Sequence, residues 1–339
     1  MKKQIVLSVV AAVLFLCGLA LMLFVAPGRA GRSEDTTPTT PTSVQQDTTA
    51  AEEPTTTDGP VETDPPETVP PAETTPPEEK GLTASHAFVF DCAEGRYLYI
   101  GGSENEQVAP ASLTKLMTAY VALQYLPEDQ VVTVGQEVRW IAANSSVAWL
   151  APGHKLTVRM LIQGLIMQSG NDAAYTLAVA GGRAIGDDTG MDAKKAYDLF
   201  VEEMNATARE MGLTGTHFEN PDGIDENGHY STVADLVKLS LTVMEDECIM
   251  EFASTQKAKV WFESGENCTW VNSNLLLDPS SSFYCAQAVG LKTGSTSRAG
   301  KCLISLFATD DGYLLVGVLG CPEDRDRYAD TLKLYNEYK

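Results

Sequence analysis

The chain has 339 residues, 44% of them hydrophobic, enough to bury the core of one substantial domain or two small ones. Its formal net charge is −22, which argues against nucleic acid as a partner, because phosphate binding needs a basic face. The acidity is uneven: Ser33 to Lys80 holds twelve Asp or Glu and one basic residue, half of the total charge.

Met1-Lys2-Lys3 is followed by an uncharged apolar run from Ile5 to Ala26. About 20 such residues are needed to cross a bilayer as a helix. A cleavable signal peptide usually has a shorter apolar region, roughly 7–15 residues. The small-x-small sites after the run, Ala26-Pro27-Gly28 and Gly28-Arg29-Ala30, carry Pro or Arg between the small residues. Residues 1–32 therefore read as a membrane anchor, and either reading places the rest of the chain outside the cytoplasm. Residues 33–80 are rich in Thr, Pro and Glu and lack aromatic residues, so they are expected to form a disordered, semi-stiff spacer.

Residues 81–339 read as one domain. Ala87–Phe90 and Tyr97–Ile100 flank the turn-forming Asp91-Cys-Ala-Glu-Gly95, and Leu303–Ala308 and Tyr313–Leu319 flank Asp310-Asp-Gly312. Both read as hairpins. Between them lie helical patterns over Leu113–Leu126, Leu156–Val179 (one or two helices), Lys194–Met211 and Thr232–Met244. Thr157 is a candidate cap for the second, and Ser231 or Thr232 for the last. The expected class is α+β: an antiparallel sheet closed by the N- and C-terminal strands, with flanking helices and an inserted helical subdomain. There is no glycine-rich phosphate loop, HExxH or CxxC pair, so no cofactor and no metal are expected. Six cysteines follow the apolar run: Cys92, Cys248, Cys268, Cys285, Cys302 and Cys321. They allow 15 complete pairings, and most are expected to be free.

Pro110-Ala-Ser112-Leu-Thr-Lys115 opens the first helix. Residues three apart share a helical face, so Lys115 can touch Ser112. A serine hydroxyl is a weak nucleophile that needs an adjacent base, and a buried lysine can supply one as its neutral amine. Ser254-Thr-Gln-Lys257 has the same spacing, so the pair alone says little. Ser169-Gly170-Asn171 interrupts the apolar stretch ending at Met167 and offers a hydroxyl and an amide from a tight turn. Ser103-Glu-Asn105 shows how common that pattern is. Gly290-Leu-Lys292-Thr293-Gly294-Ser295-Thr296 precedes the last hairpin, with Gly294 leaving room for another backbone beside a strand edge. Order decides, because S-x-x-K, S-x-N and K-T-G in succession form the joint signature of penicillin-binding proteins and serine β-lactamases. The decoys do not complete the series.

Gln107 to Thr118, Ser145-Ser146 with Leu150-x-Pro152-Gly153, Leu165 to Ala174, Phe218-x-Asn-Pro-Asp-Gly-Ile-Asp225 with Gly228-His-Tyr-Ser-Thr232, Gly290 to Gly294, Ala299-Gly300 and Arg327-x-x-Asp330-Thr331 together resemble the low-molecular-weight penicillin-binding proteins that are D-alanyl-D-alanine carboxypeptidases. The resemblance covers about Thr83 to Tyr338. It implies a β-lactamase/transpeptidase-like fold, peptidoglycan stem peptides as substrate and β-lactams as covalent ligands. It further implies Ser112 as nucleophile, Lys115 as base held neutral partly by Lys292, Ser169 as proton donor to the leaving D-alanine, and Asn171 fixing Lys115 or the substrate amide. By the same resemblance Ser112 and Ser295 amides form the oxyanion hole, Lys292, Thr293 and Arg327 hold the terminal carboxylate, and the stem adds as a strand along Lys292–Thr296, with Gly294 within it. The glutamate-bearing E-x-x-L-N stretch of common serine β-lactamases is absent after Asn171. Many members carry a further β-rich domain and a C-terminal amphipathic anchor, so here anchoring is expected from the N-terminal segment. His86, His154, His217 and His229 invite a Ser-His-Asp triad, but no G-x-S-x-G occurs and the family segment makes His229 structural. A non-catalytic sensor that acylates without turnover, and a transpeptidase, share the same motifs.

Overall fold

The computed structural model describes residues 72–339. β1 (His86–Asp91) and β2 (Arg96–Gly101) form the first hairpin. Asp91 closes its turn by accepting the N–H groups of Ala93 and Glu94 at 2.9 and 3.1 Å, the local bonding that makes Asp a turn residue. A short 3-10 turn, Ala111–Leu113, leads into α1 (Thr114–Tyr125). There follow β3 (Val131–Thr133), β4 (Lys155–Thr157), α2 (Val158–Met167), α3 (Asn171–Ile185), α4 (Ala193–Glu210), α5 (Val233–Val243) and α6 (Glu247–Ser254). The chain ends with β5 (Lys257–Trp261), β6 (Asn267–Val271), β7 (Ala288–Thr296), β8 (Gly300–Ala308), β9 (Tyr313–Cys321) and α7 (Asp324–Tyr338).

The main sheet is antiparallel with strand order β2-β1-β9-β8-β7, so the two ends of the domain meet where β1 pairs with β9. Alternation along the strands builds two cores. Phe88, Phe90, Ile304, Leu306 and Leu315 face α1 and the helical region, whereas Val89, Leu303, Phe307, Val316 and Val318 face Tyr328, Leu334 and Tyr335 of α7. α1 is buried almost all round, the mark of a central helix. Thr157 caps α2 by accepting Met160 N–H at 3.2 Å. Of the two candidates for α5, Thr232 is the cap, accepting Asp235 N–H at 3.1 Å, while Ser231 bonds Thr216.

Several elements were not legible beforehand. α6 is only eight residues long, and the β3–β4 and β5–β6 pairs and α7 carry weak patterns. α7 is the clearest case: its buried face includes Arg327, Asp330 and Thr331 beside Tyr328, Leu334 and Tyr335, so apolar periodicity hardly marks it.

The anchor expected at 1–32 and residues 33–71 of the expected spacer lie outside the described residues. Among the described residues no helix is long and apolar enough to cross a membrane. The described chain begins before Gly81, the expected start of the domain. Glu73 pairs its main chain with β2 (Glu73 N–H to Leu98 O 3.1 Å, Ile100 N–H to Glu73 O 2.9 Å), and the Tyr99 hydroxyl donates to Thr75 O at 3.0 Å. Composition predicts whether a segment can make its own core, but an exposed strand edge binds any backbone that reaches it.

Cys302 and Cys321 sit at a bulge where Lys301 pairs with Cys321 and Leu303 with Val318. The register shift sends the two thiols into different cores, and all six described cysteines are free.

Asp330 ties the two ends of the domain together. Its Oδ2 accepts Thr83 N–H (2.7 Å), Thr83 Oγ1–H (2.8 Å) and Ala84 N–H (3.0 Å). Asp330→Ala strands these donors and should cost about 2–4 kcal/mol of unfolding free energy, read by urea denaturation. Asp330→Asn keeps an oxygen acceptor and should lose less.

Candidate active site

Ser112 lies in the 3-10 turn before α1, and Ala111 beside it takes φ +49°, a backbone region uncommon for residues other than glycine. Lys115 follows one turn later, and its Nζ donates to Ser112 Oγ at 2.9 Å and to Asp222 O at 2.6 Å. The lysine is fully buried. Burial pushes its ammonium down to about 8, with the charges of Asp222 and Asp172 pulling the other way. A hydroxyl in contact with an amine that is partly neutral near physiological pH has the arrangement that a nucleophile and its base require.

Asp222 was not singled out in the sequence, although its Phe218–Asp225 segment was. Its carbonyl holds Lys115, and its carboxylate Oδ2 accepts from Asn171 Nδ2 at 2.6 Å. The loop is held by Asn220, whose side chain accepts Gly223 N–H at 2.7 Å and donates to Ile224 O at 3.0 Å. Gly223 takes φ +86°, and a Cβ there would lie 1.9 Å from Ala111 O, so only glycine lets this loop close on the turn before Ser112. Burial raises the Asp222 carboxyl, and the nearby Lys115 charge lowers it. The only sequence signal for this role is the Asn-Pro-Asp-Gly run, which reads as an ordinary turn.

Ser169 is buried with φ +55° and sits between α2 and α3. The structure gives Asn171 to Asp222 rather than to Lys115, so the expected direct hold on Lys115 is replaced by one through Asp222. Asp172 turns the other way and clamps the preceding loop, accepting Ala148 N–H and Leu150 N–H at 2.8 Å each.

β7 forms the facing wall. Gly294 lies against the turn that carries Ser112, and a Cβ there would come within 3.1 Å of Ala111 Cβ and 3.2 Å of Ser112 N. Lys292 is buried and donates to Thr293 O at 3.0 Å. Burial drives its ammonium well down, and the charges of Lys115 and Arg327 add to the effect. Burial, rather than Lys292, is therefore the main cause of the lowered Lys115. Thr293 Oγ1 bonds Ser273 Oγ at 2.6 Å, Ser295 Oγ accepts from Lys301 Nζ at 2.8 Å, and Thr296 Oγ1 donates to Asp225 Oδ1 at 2.6 Å. Ser112 and Lys115 are thus placed beside Gly294 of β7 and, through Asp222, beside Asn171.

Arg327 enters from α7. Its Nη1 donates to Gly294 O (3.0 Å) and Cys302 O (3.4 Å), its Nη2 pairs with Asp324 at 2.7 Å, and its buried Nε has no partner. It braces the Gly294 segment and does not present an open guanidinium fork to the cleft.

The alternatives fall away on geometry. Ser254 ends α6 with its hydroxyl on Met250 O and Glu251 O. His229 accepts Glu219 N–H on Nδ1 (3.1 Å), so its proton is on Nε2, which meets Thr114 Oγ1 at 2.9 Å. Burial holds this ring neutral, down to about 4, and its bonds tether the start of α1 instead of serving Ser112. Among the described residues no cluster of His, Cys, Asp and Glu could hold a metal ion.

The profile of one family, described as D-alanyl-D-alanine carboxypeptidase, matches residues 72–322. D-alanyl-D-alanine carboxypeptidase DacC of Escherichia coli is 33% identical, over 76% of this chain and 61% of its own length. DacF of Bacillus subtilis is 29% identical, over 74% and 61%. This chain therefore spans about three fifths of the length of these relatives. The D-alanyl-D-alanine carboxypeptidase of Streptomyces sp. strain K15 is 34% identical, over 75% of this chain and 87% of its own. Among solved structures, the Streptomyces K15 DD-transpeptidase superposes with TM-score 0.68 at 31% identity, covering 75% of this chain and 96% of that one. Penicillin-binding protein D2 of Listeria monocytogenes, in its ampicillin-bound form, gives TM-score 0.60 at 26% identity, covering 75% and 97%.

As a base Lys115 would act through its neutral amine, whose fraction rises as pH passes upward through about 8. The rate of Ser112 acylation by a slow covalent probe should rise through the same window. Asp222→Asn removes a charge that favours the ammonium, so the midpoint should move to lower pH. A pH–rate profile unchanged by Asp222→Asn would separate Lys115 from this carboxylate.

Proposed function

The chain belongs to the D-alanyl-D-alanine carboxypeptidase family, and on that premise we propose that it is a serine-type carboxypeptidase removing the terminal D-alanine from peptidoglycan stem peptides and acylated by β-lactams. The observation that carries the reading is the 2.9 Å contact between Lys115 Nζ and Ser112 Oγ in a fully buried setting, opposite an edge strand that ends the sheet.

In this reading Lys115 takes the hydroxyl proton as Ser112 Oγ bonds to the carbonyl carbon between the two D-alanines. The backbone N–H groups of Ser112 and Ser295 receive the developing oxyanion; the approach of Gly294 to Ser112 N supports that pairing. The C–N bond then breaks, and Ser169 relays the proton to the leaving amine. Water cleaves the resulting ester, returning the Ser112 hydroxyl. Asn171, held by Asp222, orients the substrate amide, and the stem lies along β7 from Lys292 to Thr296 as an added strand. Lys292 and Thr293 take the terminal carboxylate. Arg327 adds positive charge and holds Gly294, and direct contact with the carboxylate requires it to exchange its bond to Asp324. We further propose that residues 1–32 anchor the enzyme in the membrane and that the following spacer holds it outside the cytoplasm, supported by the apolar run from Ile5 to Ala26.

An amine in place of water would make the enzyme a transpeptidase. The two names carried by the Streptomyces K15 protein favour testing this second reading by supplying an acceptor amine.

A fluorescent penicillin should label Ser112, with Ser112→Ala abolishing the label and Ser254→Ala leaving it intact. Mapping of the adduct to another serine would overturn the mechanism. A stem pentapeptide should release D-alanine, and amidating its C terminus should slow release roughly 10–100-fold, because a hydrogen bond to a charged group contributes about 1.5–3 kcal/mol. Equal turnover of acid and amide would replace the carboxypeptidase with an endopeptidase or a broader hydrolase.

A further inference from the structure

Beyond Thr296 the free edge of β7 runs into the turn at 297–299, and this turn is fixed by one carboxylate. Asp225 Oδ1 accepts the Thr296 hydroxyl at 2.6 Å and its Oδ2 accepts Arg298 N–H at 2.9 Å, while Ala299 N–H bonds Thr296 Oγ1 at 3.0 Å. With its backbone pinned, the Arg298 side chain stays exposed, and its Nη1 meets Glu226 O at 3.3 Å. Lys301, cross-strand from Ser295, adds a second cation whose Nζ lies on Ser295 Oγ. Beside the turn opens a cavity of about 560 Å3 lined by Gln107, Ala109, Ser297, Arg298, Gly300 and Gly320 among others. On a chain of net charge −22, two cations at one end of the edge strand are a local exception.

Resting on the carboxypeptidase reading, we infer that Arg298 is a specificity determinant, pairing with a carboxylate carried by the substrate two or three residues before the scissile bond. The distance fits. β7 ends at Thr296 and Arg298 follows two residues later in the turn, so a substrate laid on β7 with its reacting carbonyl at Ser295 meets that turn two or three residues upstream. The chemistry fits as well. A guanidinium can give a carboxylate two parallel bonds, and Glu226 O already restrains its orientation. Both Asp225 oxygens are already taken by the Thr296 hydroxyl and the Arg298 backbone. A substrate amine at the same place would meet two like charges. The substrate class is therefore an acidic stem, and the cavity gives its bulk a place to lie.

The test uses N-acylated Xaa-D-Ala-D-Ala peptides with Xaa glutamate, glutamine or lysine, and a second set with the same residues one position farther upstream. D-alanine release by the wild-type protein should favour glutamate over glutamine by about 5- to 10-fold in kcat/KM in one of the two sets, locating the paired position. That ratio should shrink as salt rises. Arg298→Gln should bring the acid-to-amide ratio near 1, Arg298→Lys should keep part of it, and Arg298→Glu should invert it in favour of lysine. Equal wild-type rates on acid and amide in both sets, or a ratio unmoved by Arg298→Glu, would overturn this inference alone. Release of D-alanine from none of the peptides would overturn the carboxypeptidase reading and this inference with it.

Discussion

A primary amine kept away from water governs much of this architecture. Burying an ammonium is costly unless it is paired or gives up its proton, and Lys115 is enclosed on every side by the central helix and its neighbours. Two acceptors meet it, the Ser112 hydroxyl and the Asp222 carbonyl. That arrangement is possible because Gly223 lets a loop from 110 residues downstream close against the turn that carries the serine. The cost of burial is thus tied to the geometry that sets the amine against the Ser112 hydroxyl.

The same loop connects the two walls of the cleft. Asp222 reaches Asn171 on the helical side, and Asp225 reaches Thr296 and Arg298 on the sheet side. His229, kept neutral by burial, fastens the end of the loop to Thr114 on α1. Three segments distant in sequence are therefore held in register mainly by polar contacts around one connector, while the apolar packing that stabilises the domain lies on the two faces of the sheet. The left-handed backbones at Ala111 and Ser169 fall at the two turns facing this connector, consistent with strain concentrated where reacting groups must be presented.

What could be read early was local or ordered. The hairpin turn at Asp91–Gly95, the Thr157 cap and the helix carrying Ser112 and Lys115 each depend on residues within a few positions of one another. The three motifs were legible because their order along the chain distinguishes them from decoys such as Ser254 and Lys257. α7 was not legible, because Arg327, Asp330 and Thr331 occupy its buried face with partners far away in sequence. Residues 73–80 looked like spacer because main-chain pairing to an open edge leaves no mark in side-chain composition.

The sequence by itself determined the α+β class, the central helix, the Ser112–Lys115 pair and the edge character of Lys292–Thr296, since spacing and hydrophobic period act over one turn or one strand. Tertiary structure alone decided that Asp222 joins Lys115 to Asn171, that Arg327 is engaged by Gly294 and Asp324, and that Arg298 meets Glu226. These depend on which donors and acceptors folding brings within about 3 Å, and at that range a polar side chain takes the partner that desolvation leaves it.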